Sequence, residues 1–161
     1  MKQEISTQNP TQTIQWVEDS LALSLGSSVN SELRPVVNRD FEITKYAVGD
    51  LTGDQIDEAI STINKYCEPM AADEMLVLVG AMWAMTKQAK QTAGSMETII
   101  KVYCKQLSEY PADIVREVLT KWPENSRWWP AWAELKDEID WRNKREKMRE
   151  ALVHKKLGLG K

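Results

Sequence analysis

Eleven consecutive residues, MLVLVGAMWAM from Met75 to Met85, carry no charge and nothing more polar than one indole. The run is well short of the roughly 20 residues a membrane span needs, so the rest of the chain has to cover it. At helical spacing Met75, Leu78, Val79, Met82, Trp83 and Met85 occupy more than one face. A helix apolar nearly all round belongs at the centre of a bundle. The pattern predicts such a helix from Glu74 to about Gln91, capped by Asp73 and broken at Gly94.

The segments around it supply the partners. Thr13 to Leu25 reads as a short helix with Trp16, Val17, Leu21 and Leu25 inward and Gly26 as its stop. Thr52 is a good N-cap for a helix that presents Ile56, Ala59, Ile60, Ile63 and Tyr66 on one face and stops near Pro69. Ser95 caps another, with Met96, Ile99, Ile100, Tyr103, Cys104 and Leu107 at i, i+3, i+4 spacing. Pro111 suits the first turn of a helix carrying Ile114, Val115, Val118, Leu119 and Trp122, with Pro123 as its end. Pro130 then opens a last helix through Trp132, Leu135, Ile139 and Met148. Residues 29–49, interrupted by Pro35 and Gly49, read as irregular. The expectation is an all-α protein: a compact multi-helix bundle with a Trp-rich helical hairpin and a charged C-terminal helix or tail. Residues 1–12 form a flexible N-terminus, 13–140 the helical domain, and 141–161 the basic C-terminal helix or tail.

Between Lys121 and Trp132, KWPENSRWWPAW holds four of the chain's seven tryptophans. Indoles so concentrated either close a core or wait for a flat partner. Burial against the Met75–Met85 segment accounts for most of them. Adjacent side chains diverge, however, so at least one of Trp128 and Trp129 is expected to stay half exposed. With Arg127 beside it, such an indole would make an anchor for bases or for a protein interface, where Trp and Arg dominate.

Charge is unevenly spread. From Trp141 to Lys161 there are eight Lys or Arg against two Asp or Glu, and since the whole chain carries −3, its first 140 residues carry −9. An acidic body with a basic arm suggests two contact surfaces of opposite sign. Arg142, Lys144, Arg145, Lys147 and Arg149 are the arm's candidate charges, either as a solvated helix end, as phosphate contacts, or as part of a partner-binding helix that presents Trp141, Met148 and Leu152.

No catalytic constellation stands out. Cys67 and Cys104 lack a CxxC partner and read as reduced, buried thiols. His154, the single histidine, sits in a basic stretch and reads as solvated. The acidic clusters Asp54, Asp57, Glu58 and Asp137, Glu138, Asp140 lack the spacing of a metal loop. Phosphate-binding glycine motifs and a GxSxG elbow are missing. No cofactor, no metal and no membrane partner are expected, and the polar N-terminus points to a cytoplasmic protein.

The run from Val102 to Leu135 resembles the loader-and-inhibitor proteins of the replicative hexameric helicase, and replisome organisers, found in phages and prophages. The elements that carry the resemblance are Tyr103, Leu107, Tyr110-Pro111, Val115, Leu119 and Trp122, then Trp129-Pro130 and Glu134-Leu135. It implies a compact helical domain and a phage-type, non-catalytic DNA replication accessory protein working in a bacterial host cell. The replicative helicase, or another replication protein, would be its partner, loaded or inhibited, with DNA as a second partner through the C-terminal arm. Arg127, Trp128, Trp129 and Trp141 join the five arm charges as contact residues. Two rival readings are a phage-borne inhibitor of a host defence or nucleic-acid enzyme acting through an acidic surface, and a DNA-binding regulator. The latter suffers from a would-be recognition helix opening with Pro130, Ala131, Trp132, Ala133 and Glu134, poor chemistry for base edges.

Overall fold

The computed structural model describes residues 10–89 and 95–159. Among them eight helices and one two-stranded ribbon follow in the order α1 (Pro10–Leu25), α2 (Ser27–Glu32), β1 (Leu33–Val37), β2 (Ile43–Val48), α3 (Gly53–Lys65), α4 (Ala72–Met85), α5 (Met96–Leu107), α6 (Ala112–Asn125), α7 (Trp132–Arg142) and α8 (Lys144–Lys156). The fold is mostly helical, as the periodicity implies. No described helix is long and apolar enough to cross a membrane. The expected flexible residues 1–9, the end of the central helix at Gln91 and the break at Gly94 lie outside the described residues.

Two hydrophobic clusters share the interior. One gathers Met75, Val79, Met82, Ile100, Leu107, Ile114, Val118, Leu135 and Ile139 from α4 to α7. The other gathers Leu21, Leu25, Val29, Leu33, Tyr46, Ile56, Ile63 and Leu152 from α1, α2, the ribbon, α3 and α8. Helix α1 runs between them: Ile14 packs on the first cluster and Leu21 belongs to the second. Its inward stripe is Ile14, Glu18, Leu21, Leu25, so Trp16, expected inside, is 68% exposed. The helix also begins at Pro10, inside the stretch expected to be flexible.

Four further boundaries differ from the sequence reading. Residues 33–48 form an antiparallel ribbon rather than irregular chain, with Leu33 opposite Val48 and Pro35 opposite Tyr46. Proline is tolerated there because both strands of a two-stranded ribbon are edges. Gly49 closes the ribbon because the Glu32 carboxylate, which accepts from the Asp50 amide at 2.9 Å, lies where a Cβ at position 49 would stand. Helix α4 starts at an uncapped Ala71 and stops at Met85, where Thr86 turns to extended backbone and its hydroxyl bonds back to the Met82 carbonyl at 2.8 Å. Pro123 does not end α6, which continues to Asn125. The single long C-terminal helix is broken at Asn143, which caps α7 and whose side chain accepts from the Glu146 amide at 3.3 Å to start α8. Asparagine does this because its side chain competes with the helix for local amides. By contrast Thr52 caps α3 as expected, in a full capping box with Gln55.

Candidate functional site

The break at Asn143 decides what the basic residues can do. Because α8 turns back onto β2 and α3, it lies against the body instead of standing off as an arm. Trp141 belongs to α7, so the boundary expected after residue 140 falls inside a helix. Arg145 is 0% exposed and cannot be a contact residue. Its guanidinium grips both oxygens of Asp113 in a bidentate pair, the Nη1–Oδ1 bond being 2.9 Å, and donates to the Tyr66 carbonyl at 2.7 Å. Lys147 donates to the Ile43 carbonyl at 2.7 Å, Arg149 pairs with Glu146, and Arg142 pairs with Glu138 and approaches the buried Glu117. Lys144 stays exposed.

Arg145 sits where the two clusters meet. Asp113 comes from α6, Tyr66 from the end of α3 and Glu18 from α1. Glu18 Oε1 and Arg145 Nε, both buried, lie 3.6 Å apart, and neither has a hydrogen-bond partner among the described residues. Burial pushes the Glu18 carboxyl above its ordinary 4.5, against the opposing pull of Arg145. A raised carboxyl is disfavoured in its ionised form on folding, so it withdraws stability as pH rises from the unfolded value through the folded one. Glu18→Gln is therefore expected to be the more stable protein at neutral pH, with the difference vanishing below about pH 4.5. Urea denaturation across that window measures it; a variant equally stable at every pH would refute the direction.

Between this junction and the ribbon's turn opens a groove of about 670 Å³, walled by Ile14 and Glu18 of α1, Phe41 and Ile43 of the ribbon, Glu117 and Lys121 of α6, and the α7–α8 corner. Three expected contact residues, Trp141, Arg142 and Lys144, line it together. Trp141 is 56% exposed, donates from its indole to Glu42 at 3.2 Å, and carries the Arg142 guanidinium 5.1 Å from its ring centre.

Phe41 is the residue that sequence reasoning missed. It is 88% exposed and sits at φ 61, in the left-handed region. For a bulky side chain that conformation costs on the order of 1–2 kcal/mol. The Asn38 side chain enforces it by accepting from the amides of both Asp40 and Glu42 at 2.9 Å, while the Phe41 amide donates to the Asn38 carbonyl. A strained backbone that holds an aromatic ring out in solvent serves no packing purpose in the fold. The available signal was small: Phe41 is the chain's one phenylalanine, set in a polar turn.

The other expected contacts lie apart. Arg127 and Trp128 are exposed, the guanidinium 5.7 Å from the ring centre, whereas Trp129 turns inward. Its ring packs edge-on to Trp83 at 4.9 Å and against Tyr103 at 4.8 Å. The described residues include no group of three or more His, Cys, Asp or Glu able to hold a metal. The chain is thus a mostly helical protein with a groove that is aromatic-rimmed and of mixed charge. No protein-family model matches it, and neither does any curated protein or solved structure.

Proposed function

We propose that the chain is a phage-type DNA replication accessory protein that acts by stoichiometric contact, without catalysis. It takes a segment of the replicative helicase, or of another replication protein, into the groove between the ribbon turn and the α7–α8 corner. Phe41 carries this reading, because a strained, solvent-held aromatic lining the same groove as a half-exposed tryptophan is the pattern of a protein-binding hot spot. The helicase as partner rests on the resemblance of residues 102–135. Lys144 on the groove wall suits an acidic group on an otherwise apolar partner segment. DNA is the weaker candidate: affinity for phosphates comes from counterions released by unneutralised cations, and Arg142, Arg145 and Arg149 are already paired with carboxylates.

A photo-crosslinking amino acid at position 41, incubated with the purified hexameric helicase of the host, tests this. The expected product is a chain–helicase adduct that is competed by unlabelled protein and weakened by Lys144→Glu. Absence of the adduct together with strong, steeply salt-dependent binding of duplex DNA would overturn it.

A further inference from the structure

Helix α4, which the sequence places at the centre of the bundle, is covered on one side only. Met75, Val79 and Met82 are buried, while Leu76, Val77 and Met85 are each more than half exposed and Ala84 is exposed with them. At 100° per residue Asp73, Leu76, Val77, Gly80 and Ala84 fall on a single outward stripe. Gly80, at its middle, has no role inside the fold. A methyl group added there would meet no atom within 4 Å, yet glycine in a helix interior is unfavourable relative to alanine. An uncompensated glycine beside the exposed Leu76 and Val77 is suited to a close approach from outside.

The ends of the stripe say what approaches. Its start is acidic at Asp73, the neighbouring Glu74 being paired with Arg116. Its finish is basic: the exposed Lys87 follows the C-cap and is bridged to the segment between α6 and α7, its amide donating to the Arg127 carbonyl at 2.7 Å and its carbonyl accepting from the Trp129 amide at 2.8 Å. Arg127 and the half-exposed Trp128 thus stand at the same end. A surface acidic at one end, basic at the other and apolar between is complementary to itself when reversed. Two copies of α4 laid antiparallel about a two-fold axis at Gly80 place Leu76 of each against Ala84 of the other, and bring the Asp73 end of each to the Lys87 end of its partner. The register matches large against small and acid against base, the arrangement an isologous interface requires.

We propose that the α4 face is the interface of a homodimer in which two α4 helices cross antiparallel at Gly80. This is independent of the groove, which lies across α1, the ribbon and the α7–α8 corner.

Sedimentation velocity over a wide range of concentration, on the full chain, reads the assembly directly. The expected result is a monomer–dimer equilibrium. Val77→Glu and Ala84→Glu, both on exposed positions that leave the monomer's core untouched, should each reduce the sedimenting mass to that of one chain. Gly80→Ala should act in two opposite ways. It raises the melting temperature of the dilute monomer by about 2–4 °C and weakens dimerisation by about tenfold or more. Asp73→Lys and Lys87→Glu should each weaken the dimer, and the two together should restore it. A chain that stays monomeric at every concentration overturns the proposal. A dimer indifferent to Val77→Glu and Gly80→Ala, or a charge-swapped pair that fails to recover, overturns it equally.

Discussion

Arg145→Ala is expected to destabilise the protein by about 3–5 kcal/mol, the usual consequence of removing one member of a buried ion pair. The loss comes less from the contacts removed than from what is left behind. Asp113, 11% exposed at its side chain, would lose its guanidinium partner, and the Tyr66 carbonyl would lose its donor. The damage should be felt in both clusters, because Asp113 stands at the start of α6 in one and Arg145 in α8 beside Leu152 of the other. Thermal unfolding should show a midpoint lowered by about 10 °C, at the 2–4 °C per kcal/mol typical of a chain this size. A companion variant separates charge from volume. Replacing Arg145, Asp113 and Glu18 together with apolar residues of similar size should recover most of the loss, since a buried ionic group is often no better than well-packed hydrocarbon. If Arg145→Ala unfolds within 1 kcal/mol or so of the parent, the junction is not held by this group.

The same residue shows where reading along the chain ends. The amphipathic stripes of α3, α5 and α6 were legible, because a 3.6-residue apolar period needs no knowledge of what it packs against. So was the divergence of Trp128 and Trp129, which follows from local geometry alone. What could not be read was the tertiary fate of charge. Arg145 sits among Lys144, Lys147 and Arg149, and nothing in that run distinguishes the fully buried cation from its neighbours. Only the turn at Asn143, which rotates α8 onto the ribbon, makes the choice. Glu18 was hidden for the converse reason: it occupies an inward position of α1, between Ile14 and Leu21, and Trp16 claimed the face by its size. Helix α4 misled in a third way. An apolar all-round helix implies burial all round, and the implied cover need not come from the same chain.

Phe41→Gly is expected to move stability and binding in opposite directions. Glycine occupies the left-handed region at no steric cost, so relieving φ 61 should stabilise the protein by about 0.5–1 kcal/mol once glycine's larger unfolded-state entropy is deducted. The ring contributes almost nothing to the core at 88% exposure, and its loss costs the fold nothing comparable. Affinity for the groove's partner should fall by about 2 kcal/mol, roughly thirtyfold, the scale of an aromatic hot spot. Phe41→Ala divides the two effects, for it removes the ring but keeps a Cβ in the strained conformation; it should bind as poorly as the glycine variant without gaining stability. Urea denaturation and titration of purified helicase measure the pair of quantities. A gain in stability with affinity unchanged would mean that the strain is incidental and Phe41 no anchor. Lost stability in both variants would mean that the ring packs in solution and the turn is a structural element, and a groove without its strained aromatic would have no claim to be the binding site.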